Sequence, residues 1–187
     1  MSVPDTEDRL AARLAELRVQ RGWSLDELAM ATGISRASLS RIERAETSPT
    51  AALLNRLCVA YGLTMSRLLS EVEEEAALLL KASDQSVWRD DASGYLRRSV
   101  SPPASHFKAE LVESVLQPGA RIDYDAPPVL GLEQHIWLQS GELTFTMDDQ
   151  RWTLQAGDCL RFHLTGKSSF QAHPEGGARY ILVVCKP

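Results

Sequence analysis

Arginine and hydroxyl side chains are concentrated in one short stretch, SRASLSRIER, which spans residues 35–44. Its apolar residues Leu39 and Ile42 are three positions apart, so on a helix they share one face and leave the polar side chains on the other. A guanidinium can donate two hydrogen bonds to a guanine base, and hydroxyl groups can donate to phosphate oxygens. The stretch therefore has the chemistry of a DNA-binding helix. Its composition also fits an ordinary solvated helix face, so the flanking sequence decides between these interpretations.

Two helices joined by a tight turn are predicted to position this stretch. Ser24 and Glu27 have the spacing of a capping box, in which the serine accepts a backbone N–H and the glutamate reaches back to the cap. Gly33 stands where a helix ends in a left-handed residue, and Ser35 is placed to cap the next helix. The pattern is helix, turn, helix, with the arginines on the second helix.

Further helices are predicted on both sides of this pair. Leucines at spacings of four and three predict a helix over residues 6–21, and a threonine cap and a later glycine bound another over residues 50–62. A fifth helix is predicted from Thr64 through the segment EVEEEAALLLK to about Ala82. Its leucines need a partner chain or a second domain to cover them.

The block from about Leu10 to Leu69 resembles the helix-turn-helix domain of Cro and lambda repressor, which belong to the xenobiotic-response-element (XRE) family. In that family the second motif helix lies in the major groove and its N-terminal residues touch base edges. The resemblance implies that Arg36, Ala37 and Arg41 face bases. It also implies a set of phosphate contacts that position the domain without reading sequence, namely Arg18, Ser24, Ser38, Ser40, Arg44, Thr47 and Ser48.

Charge is distributed unevenly along the 187 residues, whose net charge is −5. Residues 9–69 contain nine arginines against five acids, whereas residues 71–187 contain 11 basic against 17 acidic residues. A basic head on an acidic body suits a protein that presents one end to DNA. The start of the chain has no signal-peptide pattern and no run of about 18 apolar residues occurs, so we expect a cytoplasmic protein without a membrane span.

The cysteines do not form a pattern typical of a disulfide framework or a zinc site. Cys58, Cys159 and Cys185 are an odd number and have no paired spacing. We interpret them as reduced thiols of the core, which is the usual state in a reducing cytosol. A redox-sensing role for Cys159 is the alternative.

From Phe107 onward the apolar and polar residues alternate, which predicts short β-strands. After a first strand pair around the Pro118–Gly119 turn, the predicted strands cover residues 135–138, 143–147, 151–154, 158–163, 169–172 and 179–184. Short strands separated by turns at this spacing predict a sandwich or a small barrel, and barrels can enclose a ligand cavity.

The segment LQSGELTFTMDDQRWTLQAGDCLRFHLTGKSSF resembles the cupin barrel, and the likeness extends over roughly residues 105–187. Cupin enzymes hold a metal through two histidines and a glutamate of a first motif and a histidine of a second. The corresponding positions here are Gln134, Ser168 and the vicinity of Pro127 and Val129, which are poor ligands. We therefore expect no metal, no other cofactor and no enzymatic activity.

A pocket without a metal is the remaining expectation for the barrel. Gln134, Ile136 and Leu138 share one face of a predicted strand, and Arg161 lies in an apolar strand where an unpaired charge is costly. One hypothesis is that Arg161 points inward and binds an anion such as a carboxylate. The groups predicted to assist it are Gln134, Ser168, and His163 or Trp137. The equal alternative is that Arg161 faces solvent or forms an intersubunit salt bridge.

These observations predict an α+β protein of two domains. The first is an all-α five-helix domain over residues 7–70, followed by a helical or extended linker over residues 71–103. The second, over residues 104–187, is an all-β cupin barrel (a double-stranded β-helix or jelly roll) for ligand sensing and dimerisation.

The predicted function is that of a homodimeric transcriptional regulator. It is expected to bind a two-fold operator in double-stranded DNA and a small-molecule effector, which is an anion under the hypothesis for Arg161. The family resemblance favours repression. Two alternatives remain: a cupin isomerase or dioxygenase with an accessory helix-turn-helix domain, and a helix-turn-helix protein whose barrel serves only dimerisation or protein interaction.

Overall fold

The computed structural model describes residues 6–69, 77–104 and 107–185. The first of these ranges is all helical and the rest is almost entirely β-sheet, so the predicted α+β fold is confirmed. The helices are α1 (Thr6–Gln20), α2 (Leu25–Thr32), α3 (Arg36–Glu43), α4 (Ala51–Tyr61) and α5 (Met65–Leu69). Their common core is made of leucines that are about 1% exposed, including Leu14, Leu28, Leu39, Leu57 and Leu68.

The predicted extension of the fifth helix to Ala82 is wrong where it can be compared. Residues 70–76 lie outside the described residues, and residues 77–81 are not helical. A 3₁₀ turn follows at Ala82–Asp84, and the side chains of Leu78 and Leu79 are 94% and 76% exposed.

Nine strands follow, in the order β1 (Val87–Asp90), β2 (Tyr95–Ser101), β3 (Ala109–Leu116), β4 (Arg121–Tyr124), β5 (Leu132–Met147), β6 (Gln150–Gln155), β7 (Cys159–Leu164), β8 (Ser168–Ala172) and β9 (Ala178–Cys185). β1 and β2 lie inside the predicted linker over residues 71–103, so that prediction is wrong for this part. The reason is that the inward face of β2 consists of Tyr95, Arg97 and Ser99. A strand with a polar inward face has no apolar alternation by which to recognise it.

The strands form two antiparallel layers that share β5. One layer has the order β1-β2-β3-β9-β5-β7, and the other has β6-β5-β8-β4. β5 turns from one layer to the other near Gly141, whose φ is +81° and whose missing side chain leaves room for the Gly177 carbonyl. Any Cβ at Gly141 would lie 2.2 Å from that oxygen, so only glycine fits this corner.

Aromatic rings fill the space between the two layers. Phe145 is completely buried, with ring centroids of Phe162 and Phe170 at 4.5 and 4.8 Å. Phe170 of one layer also stacks on Tyr180 of the other, at 5.9 Å. The inner faces of the layers therefore meet, and the barrel is a packed core at this end.

Candidate DNA interface and interdomain cavity

The turn between α2 and α3 is built from local hydrogen bonds. Ser24 Oγ accepts from the Glu27 backbone N–H at 3.2 Å, and Glu27 Oε2 accepts from the Ser24 backbone N–H at 2.7 Å. Gly33 closes α2 with φ +67°, and Ser35 Oγ accepts from the Ser38 N–H at 3.1 Å to begin α3. The predicted capping box, left-handed glycine and second cap are all confirmed.

This cap predicts a pH effect on stability. The hydrogen bonds from Ser24 to the Glu27 carboxylate lower the pKa of Glu27 below its ordinary value of 4.5. Its contribution to stability is therefore complete above pH 4.5 and is lost as the pH falls through the lower pKa of the folded state. We expect Glu27→Gln to show a smaller fall in melting temperature than the wild type between pH 7 and pH 3, by differential scanning calorimetry. An equal fall in both proteins would contradict this assignment.

α3 presents the predicted base-contacting residues to solvent. Leu39 and Ile42 are 1% and 3% exposed and pack into the helical core, whereas Arg36, Ala37 and Arg41 are exposed on the opposite side. Arg36 lies 3.3 Å from Asp26, and both side chains are largely exposed. Exposed ion pairs of this kind are weak, so the arginine is available to a stronger partner.

The predicted phosphate contacts fall into two groups. The first group has six exposed or half-buried residues around α2 and α3. Five carry hydroxyl groups and one is an arginine, namely Ser24, Ser38, Ser40, Thr47, Ser48 and Arg44. Within this group Arg44 donates to Ser40 Oγ at 2.6 Å and to Glu46 at 2.7 Å, contacts that lie at the surface. These residues stay a prediction that the geometry allows.

Arg18 forms the second group and is placed differently from its prediction. Its side chain is only 18% exposed, its Nε and Nη2 each donate to Glu43 at 2.8 Å, and its Nη1 donates to the Trp23 carbonyl at 2.8 Å. The hydrogen bonds that Arg18 donates to the Glu43 carboxylate raise the pKa of Arg18 above its ordinary value. All three guanidinium nitrogens of Arg18 are used, and the two bonds to Glu43 join α1 to the last turn of α3. We therefore correct its assignment: Arg18 holds the recognition helix α3 in place.

A cavity lies between the helical domain and the open end of the barrel. Its empty volume is about 620 Å³, which includes space at its open mouth. The helical domain contributes four lining residues from α4, α5 and the turn between them, namely Asn55, Thr64, Met65 and Ser66. The barrel contributes apolar side chains and a set of polar ones, namely Tyr95, Arg97, Tyr124, Gln134, Ser168 and Tyr180. The cavity therefore belongs to both domains.

Four of the predicted pocket residues point into the barrel, and two of these line the cavity. Gln134 and Ser168 are 8% and 6% exposed and face it. Ile136 and Leu138 are completely buried on the same face of β5 but belong to the packed core.

The hypothesis that Arg161 points into the pocket, with His163 beside it, is wrong, because β7 turns Phe162 and Leu164 inward and exposes these two residues. Arg161 instead faces solvent, as its equal alternative stated. Trp137, which was predicted near the pocket, is 51% exposed on the outer face of β5.

Arg97 is the arginine that the structure places at the cavity, and no apolar pattern marked it in the sequence. It is 5% exposed, and its Nη2 donates to Ser66 Oγ at the start of α5. Tyr95, two residues earlier on the same face, shares a hydrogen bond of 3.2 Å with Ser114. Tyrosine, arginine and serine occupy alternate positions along β2, which could have indicated that they share the inward face of a strand. The same pattern is equally typical of a polar face turned to solvent.

Two other contacts connect the barrel to α4. Asp90 Oδ2 at the end of β1 accepts from the Ala51 backbone N–H at 2.8 Å, which satisfies a free donor of the first turn of α4. Asn55 Nδ2 donates to the Ala126 carbonyl at 2.8 Å. The helix that follows the recognition helix is therefore held by the barrel at two points.

The described ranges contain no group of three or more His, Cys, Asp or Glu side chains that could hold a metal ion. Within the same ranges, no helix has both the length and the apolar character needed to cross a membrane. Of the cysteines, Cys58 is buried, which raises its pKa to about 12. Cys159 is exposed, contrary to its interpretation as a core thiol.

Known proteins are similar to this chain in both sequence and architecture. Residues 9–69 match the family described as the helix-turn-helix domain. The HTH-type transcriptional regulator SutR of Escherichia coli strain K12 is 31% identical over 153 residues, which cover 82% of this chain and 81% of SutR. The crystal structure of an HTH_3 family transcriptional regulator from Vibrio cholerae superposes with a TM-score of 0.77 at 26% identity, and 97% of each chain is covered.

An enzyme also has this fold. The iron(II) form of HppE superposes with a TM-score of 0.51 over 97% of this chain and 100% of its own, at 12% identity, so the likeness concerns the fold alone. The relatives similar in sequence are transcriptional regulators. The chain therefore belongs to the HTH-type transcriptional regulators, and in it a helix-turn-helix domain precedes an antiparallel β-barrel.

Proposed function

We propose that this regulator is a cytoplasmic, homodimeric repressor that reads its operator with α3 and binds a small-molecule effector in the interdomain cavity. The observation that carries the proposal is that the cavity is lined by both domains, with Ser66 on one side and Arg97 on the other. A ligand there contacts the DNA-binding domain directly. The role is regulatory and not catalytic.

Base recognition is assigned to Arg36, Ala37 and Arg41, because they are exposed at the start and middle of α3. Each arginine can donate two hydrogen bonds to a guanine, and Ala37 offers an apolar contact to a thymine methyl group. Ser24, Ser38, Ser40, Arg44, Thr47 and Ser48 surround this surface and can contact phosphates.

A homodimer is proposed because regulators of this docking class bind two half-sites about 34 Å apart, related by a two-fold axis. The outer face of the first β layer offers an apolar surface for such contact. On this face Leu111 lies beside Val183, and Trp137 lies beside Ile181. The side chains of Leu111 and Trp137 are 36% and 51% exposed. In a two-fold dimer the same surface patch of both subunits forms the interface, so this apolar patch can pack against the same patch of a second chain.

The regulatory mechanism is a linkage between effector and operator. An effector shifts DNA affinity only if it binds one arrangement of the domains better than another, and the coupling is reciprocal. α4 and α5 line the cavity, and α4 also packs against α2 of the motif. A change at the cavity therefore reaches the DNA-binding surface through packed helices.

The first test is to select binding sites for the full-length protein from a random duplex library. We expect a two-fold symmetric site, bound by two chains, whose affinity falls steeply with salt concentration. Fluorescence anisotropy gives the affinity, and analytical ultracentrifugation gives the stoichiometry. Failure to enrich any sequence would contradict operator reading. Operator affinity indifferent to every metabolite tested would favour a barrel that only dimerises, and turnover of a metabolite would favour an enzyme.

A further inference from the structure

The interdomain cavity has the electrostatic character of an anion site. Arg97 is the charged residue among the described residues that line it, and it is 5% exposed. The other polar lining groups are hydroxyls and amides, which can all donate hydrogen bonds. Burial raises the pKa of the Tyr180 hydroxyl well above its ordinary value, so this group stays protonated and able to donate.

Arg97 has donors that the protein itself does not use. A guanidinium carries five N–H groups, and Nη2 of Arg97 donates to Ser66 Oγ. The buried Nε has no hydrogen-bond acceptor among the described residues. A buried donor without an acceptor is costly and is rare in folded proteins. Arg97 lines the cavity, so a group bound there can supply an acceptor to its guanidinium.

Asp90 and Glu110 are buried carboxylates of the barrel, and neither lines the cavity. Arg97 pairs with Ser114 across β2 and β3, and Glu110 lies four residues further along β3. Four residues of a strand place the two Cα positions on β3 about 13 Å apart. Glu110 Oε2 accepts from Thr64 Oγ1 at 3.5 Å, and Glu110 does not line the cavity.

We propose that the effector is a small organic monocarboxylate whose carboxylate group is bound by Arg97. One buried cation balances one negative charge, whereas a phosphate carries nearly two at neutral pH. Arginine matches the planar carboxylate with two parallel hydrogen bonds, which are stronger than those between neutral groups. The apolar lining from Leu132, Leu182 and Val184 suits the hydrocarbon part of such a ligand.

The same arginine connects the ligand to the DNA-binding domain. A carboxylate bound by two hydrogen bonds engages Nη2 together with Nε or with the other terminal nitrogen, and Nη2 is the atom that donates to Ser66. Because Nη2 carries two N–H groups, it can bind the carboxylate with one and Ser66 of α5 with the other, which connects the ligand to α5. This inference rests on the proposed sensing function. It specifies the chemical class of the effector and the contact through which the bound effector reaches the DNA-binding domain.

The test uses the full-length protein and isothermal titration calorimetry without DNA. The probes are straight-chain monocarboxylates from acetate to decanoate, together with benzoate and phenylacetate, each paired with its primary amide. We expect at least one carboxylate to bind and its amide to bind at least tenfold more weakly, because the amide lacks the charge that Arg97 pairs with. No binding by any carboxylate, or equal binding of an acid and its amide, would overturn the proposal.

Variants locate the binding site. Arg97→Met should weaken the carboxylate at least tenfold, and Arg97→Lys, which keeps the charge and loses the planar fork, should weaken it less. Arg161→Met is the matched control, because Arg161 is an exposed arginine of the same barrel, and it should bind like the wild type. Unchanged binding in Arg97→Met would overturn the site. Should that variant not fold, loss of binding in Gln134→Leu and Tyr180→Phe would support the cavity, and retention in both would overturn it.

The coupling is measured separately on the selected operator. A saturating carboxylate should change operator affinity at least fivefold in the wild type, and Ser66→Ala should bind the carboxylate but lose most of that change. A protein that binds its operator but no carboxylate refutes this inference and leaves the regulator intact. A protein that binds a carboxylate through Arg97 but selects no DNA refutes the operator proposal and leaves the ligand site intact. An unchanged coupling in Ser66→Ala would refute the proposed route.

Discussion

Replacing both Arg36 and Arg41 by alanine is expected to weaken operator binding by on the order of 100-fold, since each arginine that pairs with a guanine contributes about 1–3 kcal/mol of discrimination. Both side chains are exposed on α3, and Arg36 has only the exposed contact of 3.3 Å to Asp26 to give up. The loss should fall on the selected sequence, while affinity for a scrambled duplex should change little. Fluorescence anisotropy with both duplexes measures the two affinities.

Arg56→Ala is the control for this prediction. Arg56 is also an exposed arginine of the helical domain, but it pairs with Asp125 of the barrel at 3.3 Å. It should leave the affinity for both duplexes unchanged. If Arg36→Ala/Arg41→Ala instead weakened both duplexes equally and reduced the salt dependence, the two arginines would contact phosphates and not bases.

Arg18→Met is expected to lower the free energy of unfolding by about 2–3 kcal/mol. The substitution leaves Glu43, whose side chain is 10% exposed, without the two hydrogen bonds of 2.8 Å that it accepts from Arg18. Removal of one partner from a fully buried pair typically costs about 3–5 kcal/mol, and the partial exposure of Arg18 reduces that figure. Urea unfolding followed by circular dichroism measures the change.

Two further variants separate the causes. Arg13→Met breaks an ion pair of 3.7 Å with Glu16 on the surface of the same helix, and it should cost less than about 0.5 kcal/mol. Adding Glu43→Gln to Arg18→Met should recover part of the stability, because the unpaired charge is removed. Folded Arg18→Met should keep operator affinity within a few-fold at low temperature. A large loss of affinity without loss of stability would restore Arg18 to the phosphate contacts.

The different roles of Arg18 and the α3 arginines could not be predicted from the sequence. All of them are basic residues in a domain that resembles a DNA-binding family, and the resemblance assigned them together. Arg18 and Glu43 are 25 positions apart, so their ion pair depends on how α1 packs on α3. No local pattern reports that packing.

The helix-turn-helix motif and the alternating strands could be predicted from the sequence because their signals are local. The Ser24–Glu27 box, the left-handed Gly33 and the Ser35 cap each act within four residues, and the strands after Phe107 follow from the period of two. Residues 87–101 were missed because the inward face of β2 carries Tyr95, Arg97 and Ser99, which lack the apolar signature.

Only the tertiary structure decided which arginine faces the cavity. Arg161 and Arg97 both lie in strands of alternating exposure, but β7 exposes the first and β2 buries the second. Ser66 of α5 in the other domain accepts one hydrogen bond from the buried guanidinium of Arg97. The cavity itself exists only where the two domains meet. The amino-acid sequence thus determined the two folds through local hydrogen bonds and periodicity, whereas contacts between distant segments determined the candidate effector site.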